Sequence, residues 1–437
     1  MEFQTFKIGD IAKVQGGYAF KSADFKDTGI PVLKITNVQD RKIELNNLSH
    51  VDPSIVEGLE RFFVKSGDVL ISMTGNGPQT DTALVGRTAR YNGPDNTFLL
   101  NQRVGRFLVN DSLVRKRFLY FWISRPEINR ELALRSTGSA NQANINATTI
   151  ESFEISIPDL EAQDKILKIL GEIDDKIELN NQINETLETM AKTIFKEWFI
   201  DFGPVKAKAE GKKPFGMDNE AVALFPDKFE DSEFGLIPKN WKYLTCKDFG
   251  NIVTGTTPPS AKIELMGNFL PFVTPSDYSS EVFVINTSRH LSETGYHNFQ
   301  NRIVKPNSVM VTSIGSDLGK VTLSACEVLT NQQINTISVK ESFYSHYLYL
   351  HFANQQDYLK SIAGGSATPI INKSQFEDLN ILMPEREIIL EFDKIIKPIF
   401  QLILFNQYEI KTLREARDLL LPKLISGELQ LNEVAID

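Results

Sequence analysis

Few of the residues that build disulfide-linked, metal-binding or membrane-spanning proteins occur in this chain of 437 residues. The two cysteines, Cys246 and Cys326, give no disulfide framework, so a reducing cytoplasmic setting is expected. The five histidines show no metal-ligand spacing, and we expect no metal site and no cofactor of the chain's own. No apolar run approaches the roughly 18 residues that a membrane helix needs, and the first residues lack a signal-peptide pattern. The sequence therefore predicts a cytoplasmic protein with no membrane partner.

An excess of positive charge is also missing, since the formal net charge is −9. This value opposes a nucleic-acid partner if the charge is spread evenly. However, residues 1–158 carry 19 basic and 17 acidic side chains, and residues 236–384 carry 11 of each. The negative excess lies outside these two ranges, which leaves a nucleic-acid-binding role open for them.

What the chain does contain is an internal repeat. VKSGDVLISMTG (64–75) returns 240 positions later as VKPNSVMVTSIG (304–315), with the same apolar alternation and the same final glycine. Further echoes keep their order, namely PVLKITNV (31–38) with PFVTPSDY (271–278), NQRVGRFLV (101–109) with NQQINTISV (331–339), FLYFW (118–122) with YLYLH (347–351), and residues 138–158 with 365–384. The sequence predicts two copies of one unit, which share a frame and differ most in the loop after residues 75 and 315.

Each copy is followed by a segment with the heptad spacing typical of a coiled coil. A solitary amphipathic helix packed on its own domain is the alternative. Asparagines in the stripe favour pairing, because a polar seam residue fixes register, and Asn180 or Asn184 could meet Asn406 in an antiparallel pair. Pro398 predicts a kink or a late start of the second helix. The predicted seam residues are Ile166, Leu170, Ile173, Ile177, Asn180, Asn184, Leu187, Ile194 and Trp198, and Ile396, Ile399, Ile403, Asn406, Ile410, Leu413, Leu420 and Leu424.

These patterns predict an α+β fold with two similar mixed α/β domains, joined by two long helices that form an antiparallel coiled coil with an internal pseudo-two-fold repeat. The helical stretch between the first and last seam residues, Ile166 and Trp198, would span roughly 50 Å. Two similar heads on such a spacer suggest a protein that reads duplex DNA, whose half-sites lie about 34–36 Å apart when separated by one turn. The predicted segments are a first head (1–158), a central long helix (159–200), a linker (201–235), a second head (236–384), and a C-terminal long helix and tail (385–437).

Three stretches carry a resemblance to a known family: IFKEWFIDFGPVKAKAEG (194–211), LFPDKFEDSEFGLIPKNW (224–241) and LLLPKLISGEL (419–429). They resemble the DNA-specificity (S) subunit of type I restriction–modification enzymes, and the resemblance covers essentially the whole chain. It implies that the heads are target-recognition domains for a split, asymmetric site in double-stranded DNA. It also implies two methyltransferase (M) subunits as partners and two restriction (R) subunits in the full complex. S-adenosylmethionine, ATP and Mg²⁺ would belong to those partners, so this chain would be noncatalytic.

Loops on a rigid frame are expected to contact the DNA. The loops at 74–93 and 312–320 are the main candidates, with the residues that follow the strand at 31–38 and its echo. Asn, Gln and Arg can make bidentate contacts with base edges, and Asp can accept a hydrogen bond from cytosine. For each of these positions a solvated loop residue is the alternative. The predicted DNA-contacting residues are Lys34, Thr36, Asn37, Asn76, Gln79, Thr80, Arg87, Arg90, Thr274, Ser276, Asp277, Ser313, Ser316, Asp317 and Lys320.

Several alternatives stay open at this level. Arg115, Lys116 and Arg117 could contact phosphates or could lie on a solvated helix face. The leading hypothesis for the chain is a DNA-reading and scaffolding subunit. The alternative is a coiled-coil interaction scaffold without sequence reading of its own, and a third hypothesis, a nuclease, needs carboxylates that the sequence does not bring together.

Overall fold

The computed structural model describes residues 2–45, 47–76, 85–139, 142–364 and 368–429. These residues fall into two compact units. The first unit combines the residues up to Asp175 with those from Leu413 onward, and the second spans Lys176–Thr412. Each unit therefore contains one head and a stretch of both long helices.

The first head is built from short strands and short helices. Its strands are β1 (Phe3–Lys7), β2 (Ala12–Gly16), β3 (Phe25–Lys26), β4 (Ile30–Leu33), β5 (Val38–Gln39), β6 (Lys42–Ile43), β7 (Ser49–Val51), β8 (Val69–Ser72), β9 (Thr74–Gly75), β10 (Thr88–Arg90), β11 (Leu99–Leu100), β12 (Val104–Val109), β13 (Thr137–Ser139), β14 (Gln142–Asn144) and β15 (Glu154–Pro158). Its helices are α1 (Ile8–Ile11), α2 (Lys116–Ile123), α3 (Pro126–Leu134) and α4 (Ala147–Glu151). The sheets have the orders β10-β8-β12-β2, β11-β4-β7-β3 and β13-β14-β9, while β1 pairs with β15.

Strand β8 shows why the repeated motif forms the centre of a sheet. Val69 and Ile71 pack in the core that contains α2, whereas Leu70 packs in a second core. Side chains alternate between the two faces of a strand, so a continuous apolar run is buried on both. The glycine that precedes the strand, Gly67, has a φ of 81°, and Asn307 occupies the equivalent turn of the second copy with a φ of 61°.

The first long helix, α5, runs through Leu160–Phe195 and continues as a π-helical turn, Lys196–Ile200. The segment predicted to be a linker, 201–235, contains α6 (Gly203–Ala209), α7 (Asn219–Leu224) and β16 (Phe229–Ser232), which pairs with β17 (Gly235–Pro238). Several of its apolar side chains pack in the main core of the second unit, namely those of Val205, Ala221 and Phe225.

The second head repeats the first. Its strands are β18 (Lys242–Thr245), β19 (Gly250–Thr254), β20 (Met266–Gly267), β21 (Leu270–Val273), β22 (Phe283–Val284), β23 (Arg289–Leu291), β24 (Val309–Thr312), β25 (Val321–Ser324), β26 (Leu329–Thr330), β27 (Ile334–Val339) and β28 (Asn380–Met383). Its helices are α8 (Cys246–Phe249), α9 (Glu293–Asn298), α10 (Tyr344–Ala353), α11 (Gln356–Ile362) and α12 (Lys373–Glu377). The sheet order β25-β24-β27-β19 matches β10-β8-β12-β2, and the parallel pair β21–β26 matches β4–β11. The predicted repeat is confirmed in the topology of the two heads.

The second long helix, α13, runs through Arg386–Ser426 and contains Pro398. Of the two outcomes predicted from this proline, a late start is excluded because the helix begins well ahead of it, and a kink stays a prediction. On both sides of the proline, Phe392, Ile396 and Phe400 are fully buried. A proline inside a helix costs about 3 kcal/mol, and the burial of large apolar side chains at about 1.5–3 kcal/mol each outweighs that cost.

Contacts across α5 and α13 show that the two helices are antiparallel. In the second unit, Asn406 Nδ2 donates to Asn184 Oδ1 at 2.9 Å. Asn180 Nδ2 donates to Glu409 Oε2 at 2.7 Å. A lower residue number on α5 thus meets a higher one on α13, and the amide pair is one of the two pairs anticipated from the seam spacing.

The seam residues proposed from the heptad pattern are all buried or half-buried in the structure. Ile166 and Leu170 belong to the core of the first unit, and Ile396 and Ile403 belong to the main core of the second. Among the described residues, we find no helix with both the length and the apolar composition to cross a bilayer.

Replacing either Asn184 or Asn406 by leucine should lower the free energy of unfolding by about 1–3 kcal/mol, because the remaining amide loses its partner inside the seam. The double replacement should cost less than the two single losses combined, since two apolar side chains satisfy one another. Urea unfolding of the full chain measures all three values. Gln182→Leu, at an exposed position of α5 near Asn184, is the control. Strictly additive losses would argue against a direct partnership.

Candidate nucleic-acid interface

In the first head, the turn after β4 holds three residues that were predicted to contact DNA. Lys34 N–H donates to Asn37 Oδ1 at 2.9 Å, and Asn37 Nδ2 donates to the Glu44 carbonyl at 2.8 Å. Asn37 is 2% exposed, so its amide shapes the turn and does not reach the surface. Thr36 is exposed, and Lys34 Nζ lies 3.8 Å from the centre of the Phe25 ring. We retain Lys34 and Thr36 as surface candidates and reassign Asn37 to a structural role.

The equivalent turn of the second head has the same construction. Thr274 donates to Asp277 Oδ2 from its N–H at 2.8 Å and from its hydroxyl at 2.7 Å. Asp277 Oδ1 accepts a hydrogen bond from Ser288 N–H at 2.9 Å. Thr274 is buried and Asp277 half-buried, whereas Ser276 is exposed. Ser276 therefore remains the surface candidate of this turn.

In the loop after β8, the predicted residues lie in different environments. Gln79 and Thr80 lie outside the described residues. Asn76, just before that stretch, is half-buried. Arg87 Nη1 donates to Gln39 Oε1, so this guanidinium is hydrogen-bonded within the first head. A contact of Arg87 with DNA stays a prediction.

Arg90 lies on the side of the first head that packs against the helices. Its Nη1 is 4.0 Å from Asp174 Oδ2 of α5, and its side chain is 20% exposed. Burial is the main cause that lowers the pKa of the Arg90 guanidinium, and the nearby charge of Arg117 lowers it further. We therefore correct its predicted role, since a guanidinium held beside α5 does not face the loops.

The loop after β24 contains the remaining predicted residues. Ser313 is buried and donates to the Gln333 carbonyl from both its N–H (2.7 Å) and its hydroxyl (3.0 Å). Ser316 and Lys320 are exposed, and Lys320 Nζ lies 2.7 Å from Asp317 Oδ1. Ser313 thus supports the backbone of Gln333. The side chains of Ser316, Asp317 and Lys320 reach the surface.

The loops of the first head meet at a turn that the sequence analysis did not single out. It comprises residues 101–103 (Asn-Gln-Arg), between β11 and β12, and we call it the first central turn. Tyr18 N–H donates to the Leu100 carbonyl at 2.7 Å, and Gln102 N–H donates to the Tyr18 carbonyl at 2.8 Å. A Cβ at Gly17 would collide with the Leu100 carbonyl oxygen, so glycine permits this close approach.

Two further loops join the first central turn through backbone hydrogen bonds. Asn101 N–H donates to the Leu33 carbonyl at 3.0 Å, which joins the end of β4 to the turn. Met73 N–H donates to the Arg103 carbonyl at 2.9 Å, which joins the end of β8. The loops after β2, β4 and β8 therefore converge on one point.

The second head has an equivalent second central turn, residues 331–333 (Asn-Gln-Gln). Thr256 N–H donates to the Thr330 carbonyl at 2.8 Å, and Asn331 N–H donates to the Val273 carbonyl at 2.9 Å. Ser313 N–H donates to the carbonyl of the last residue of the turn. The second and third side chains are exposed in both central turns. The echo of NQR with NQQ carried the signal for these turns, whereas the difference in loop length favoured the loops at 74–93 and 312–320.

The basic run at the start of α2, residues 115–117, faces carboxylates of the first unit. Arg115 Nε and Nη2 each lie 2.8 Å from the carboxylate of Asp164, and Arg117 Nη1 and Nη2 lie 2.8 and 2.6 Å from that of Asp175. These hydrogen bonds are the main causes that lower the pKa values of Asp164 and Asp175. Lys116 Nζ lies 3.4 Å from Asp68 Oδ1. Both arginines therefore attach the head to α5, which favours neither of the roles considered from the sequence.

Asp174 is the centre of an ion cluster in the first unit. Its carboxylate lies 3.3 Å from Arg417 Nη1, 3.6 Å from Arg117 Nη2 and 4.0 Å from Arg90 Nη1. The Asp174 side chain is 14% exposed. One carboxylate thus connects α5, α13, α2 and the end of β10.

Comparisons with known proteins agree on one family. The family model described as "Type I restriction modification DNA specificity domain" matches residues 1–189 and 238–414. The chain is 31% identical to the type I restriction enzyme HindI specificity subunit of Haemophilus influenzae, over 98% of this chain and 100% of the relative. It is 27% identical to the type I restriction enzyme MjaIX specificity subunit of Methanocaldococcus jannaschii, over 99% and 95%. A crystal structure of a type I restriction–modification S subunit from M. genitalium shares the fold, with a TM-score of 0.55, 13% identity, and coverage of 97% of this chain and 96% of that one.

Replacing Asp174 by asparagine should lower the free energy of unfolding by about 3 kcal/mol, because partly buried guanidinium groups lose their shared counterion. Asp175→Asn is the matched control, since its side chain is 62% exposed, and it should cost less than about 1 kcal/mol. The folded-state pKa of Asp175 is lowered, so its small contribution is complete above the unfolded-state pKa of about 4 and is lost as pH falls through the folded-state value. Urea unfolding between pH 3 and pH 7 measures these losses. Equal losses in the two variants at neutral pH would contradict the central role of Asp174.

Proposed function

Because the chain belongs to the type I restriction–modification DNA specificity family, with two copies of that domain, we propose that it reads a split, asymmetric site in double-stranded DNA. Each head reads one part of the site, the first within residues 1–158 and the second within 236–384. The chain also joins two methyltransferase subunits and, in the full complex, two restriction subunits. It is noncatalytic and works in the cytoplasm, where the partners carry out methyl transfer and cleavage with their own S-adenosylmethionine, ATP and Mg²⁺.

The convergence of three loops on a central turn in each head carries this proposal. Direct reading of a base requires donors and acceptors at fixed positions on an exposed surface. Gln102 and Arg103 in the first head and Gln333 in the second meet both conditions, because their backbones are hydrogen-bonded to neighbouring loops while their side chains are exposed. Gln332 is exposed as well, and its Oε1 accepts a hydrogen bond from the Thr257 hydroxyl. The third residue of the turn differs between the heads, which supports an asymmetric site.

An exposed apolar stripe on α13 supports the assembly role. In the second unit, Ile395, Leu402 and Phe405 are 40%, 44% and 64% exposed. Their spacing of seven and three residues places them on one face of the helix. We propose this stripe as a docking surface for a methyltransferase subunit, since exposed apolar side chains on one face are typical of protein interfaces.

The alternative function is a coiled-coil scaffold that organises enzyme subunits without reading DNA. The apolar stripe alone is compatible with it. The central turns favour the reading function, because a scaffold has no need for exposed amide and guanidinium groups at the point where the loops of each head meet.

Within the described part of the chain, no group of three His, Cys, Asp or Glu side chains is placed to hold a metal ion.

Exchanging residues 72–100 for the corresponding loop of a relative with a different target should change one half of the methylated site and leave the other half intact. The reason is that the exchange alters the surroundings of the first central turn and leaves the second head unchanged. Mapping methylated bases across the genome of a host that carries the complete system measures the result. An unchanged site in an assembled, active complex would favour the scaffold function.

The chain alone should bind duplex DNA weakly, because its net charge is −9 and phosphate binding requires many cations. Adding methyltransferase subunits, which we propose supply the missing positive surface, should tighten binding at least about tenfold and steepen its salt dependence. Titration of a labelled duplex with the chain alone, with the subunits alone and with both measures the difference. Equal affinities for the chain with and without its partners would refute this expectation.

A further inference from the structure

We propose that the third residue of each central turn selects a single base: Arg103 a guanine in the first half-site and Gln333 an adenine in the second. This inference rests on the proposed DNA-reading function and adds the residue and the base. Arginine pairs with guanine O6 and N7 through two parallel N–H groups, and glutamine pairs with adenine N6 and N7 through its amide. Both pairings require a side chain whose approach is fixed in advance.

The guanidinium of Arg103 is fixed by two uncharged groups. Its Nη1 donates to Thr74 Oγ1 at 3.0 Å and to Asn144 Oδ1 at 2.7 Å, and the Thr74 hydroxyl itself donates to Asn144 Oδ1 at 2.7 Å. These two bonds involve Nη1, which leaves the donors on Nε and Nη2 for a ligand. Because both partners are neutral, the positive charge of the guanidinium is also left for the ligand.

The anchor of Arg103 is part of the frame of the head. Thr74 is 8% exposed and lies in β9, where it is the register partner of Asn144 in β14. The Arg103 N–H lies 3.4 Å from Asn101 Oδ1, and its carbonyl accepts a hydrogen bond from Met73 N–H. The backbone of Arg103 is therefore held by hydrogen bonds, and its guanidinium is held by Thr74 and Asn144.

The same two support positions change together in the second copy. Thr74 corresponds to Ile314 at the offset of 240, and Asn144 corresponds to Ile370, because the Ile-Asn pairs that follow at 145–146 and 371–372 align. Ile314 and Ile370 also form a β-bridge with each other. A polar support thus accompanies arginine, and an apolar support accompanies glutamine. This is the pattern expected if the support exists to hold the guanidinium.

Gln333 has a different support, which comes from within its own turn. Its N–H donates to Asn331 Oδ1 at 3.0 Å, and its Oε1 accepts from Asn331 Nδ2 at 3.2 Å. The amide oxygen keeps a second acceptor site and the amide nitrogen keeps its donors. These are the groups that an adenine edge requires, one acceptor for N6–H and one donor for N7.

The first test changes Arg103 in the complex with methyltransferase subunits. Competitor duplexes that vary one base pair at a time report discrimination at each position of the site. Arg103→Gln and Arg103→Lys should each reduce discrimination at one G·C pair of the first half-site by about 5- to 150-fold. The reason is that both variants lose the two parallel N–H groups of the guanidinium. The second half-site should be unchanged. Arg130→Gln, at an exposed arginine of α3, is the matched control and should leave every position unchanged.

The second test builds the arginine site in the second head. Gln333→Arg combined with Ile314→Thr and Ile370→Asn should change the preference at one position of the second half-site from A·T to G·C. Gln333→Arg alone, without the polar support, should only weaken the preference for A·T. Genome-wide mapping of methylated sites reads out both variants.

Two results would overturn the inference. One is an unchanged site in both Arg103 variants. The other is a loss of affinity for all duplexes alike with a salt slope reduced by about one in Arg103→Gln and restored in Arg103→Lys, which indicates a phosphate contact. If the exchange of residues 72–100 still changes the first half-site, the proposed function stands and the base assignment alone fails. If neither the exchange nor the point variants change the site, the reading function itself fails. Should Arg103→Gln not assemble, Arg103→Lys alone decides.

Discussion

The fixed register between α5 and α13 is the constraint on which each unit depends. In the second unit it is set by the hydrogen bond between Asn184 and Asn406, and in the first by the ion pair between Asp174 and Arg417. Apolar side chains in a helix seam tolerate slippage, whereas a polar pair is satisfied in one register only. A slip in the first unit would also remove the counterion that Arg417 shares with two arginines of the head. The register thus determines how the helices meet and how the first head attaches to them.

Equivalent positions of the two heads contact the long helices with different chemistry. The echo of FLYFW and YLYLH aligns Arg117 with His346, and each faces a carboxylate of a long helix. Arg117 binds Asp175 through two nitrogens, whereas His346 Nδ1 makes one contact with Asp393 Oδ1 at 2.9 Å and its ring lies 4.5 Å from that of Phe400. A guanidinium binds a carboxylate through two parallel N–H groups, while an imidazole offers one ring nitrogen to the carboxylate and packs its ring against an aromatic side chain. The equivalent head position thus contacts a carboxylate of a long helix in both copies, while the residue at that position differs.

Much of the fold could be predicted from the sequence because the relevant signals are periodic or repeated. The heptad stripe and the echoes indicated both heads, the two helices and a pairing of Asn406 with either Asn180 or Asn184, of which the structure shows Asn184. Pro398 predicted a kink or a late start, and the late start is excluded. Helix propensity depends on the local sequence, whereas the burial of Phe392, Ile396 and Phe400 depends on tertiary packing. The sheet order of the two heads could be compared only once strand pairing was known, because pairing joins segments far apart in the chain.

The candidate site was harder to predict for a related reason. Residue type and loop position suggested Asn37, Arg90 and Ser313, but each of these side chains turns inward to support a neighbour. The direction of a side chain depends on tertiary contacts that the loop sequence does not encode. The central turns were not among the predicted DNA contacts because they are short and nearly identical in the two copies. Their importance comes from the backbone hydrogen bonds that bring three distant loops to them.

A turn of this kind offers a simple physical route to new specificity. Its backbone is held by bonds that do not depend on the exposed side chain, such as the one from Asn101 N–H to the Leu33 carbonyl. A change at the third residue therefore alters the chemistry presented to a ligand without disturbing the frame. An arginine placed there without support would lose rotamer entropy on binding, and the Thr74–Asn144 pair removes part of that cost before the ligand arrives. Ile314 and Ile370 offer no acceptor side chains, so at that position an amide that is fastened within its own turn is the better-ordered group. Divergence of the two heads therefore involves the support as much as the residue that it holds.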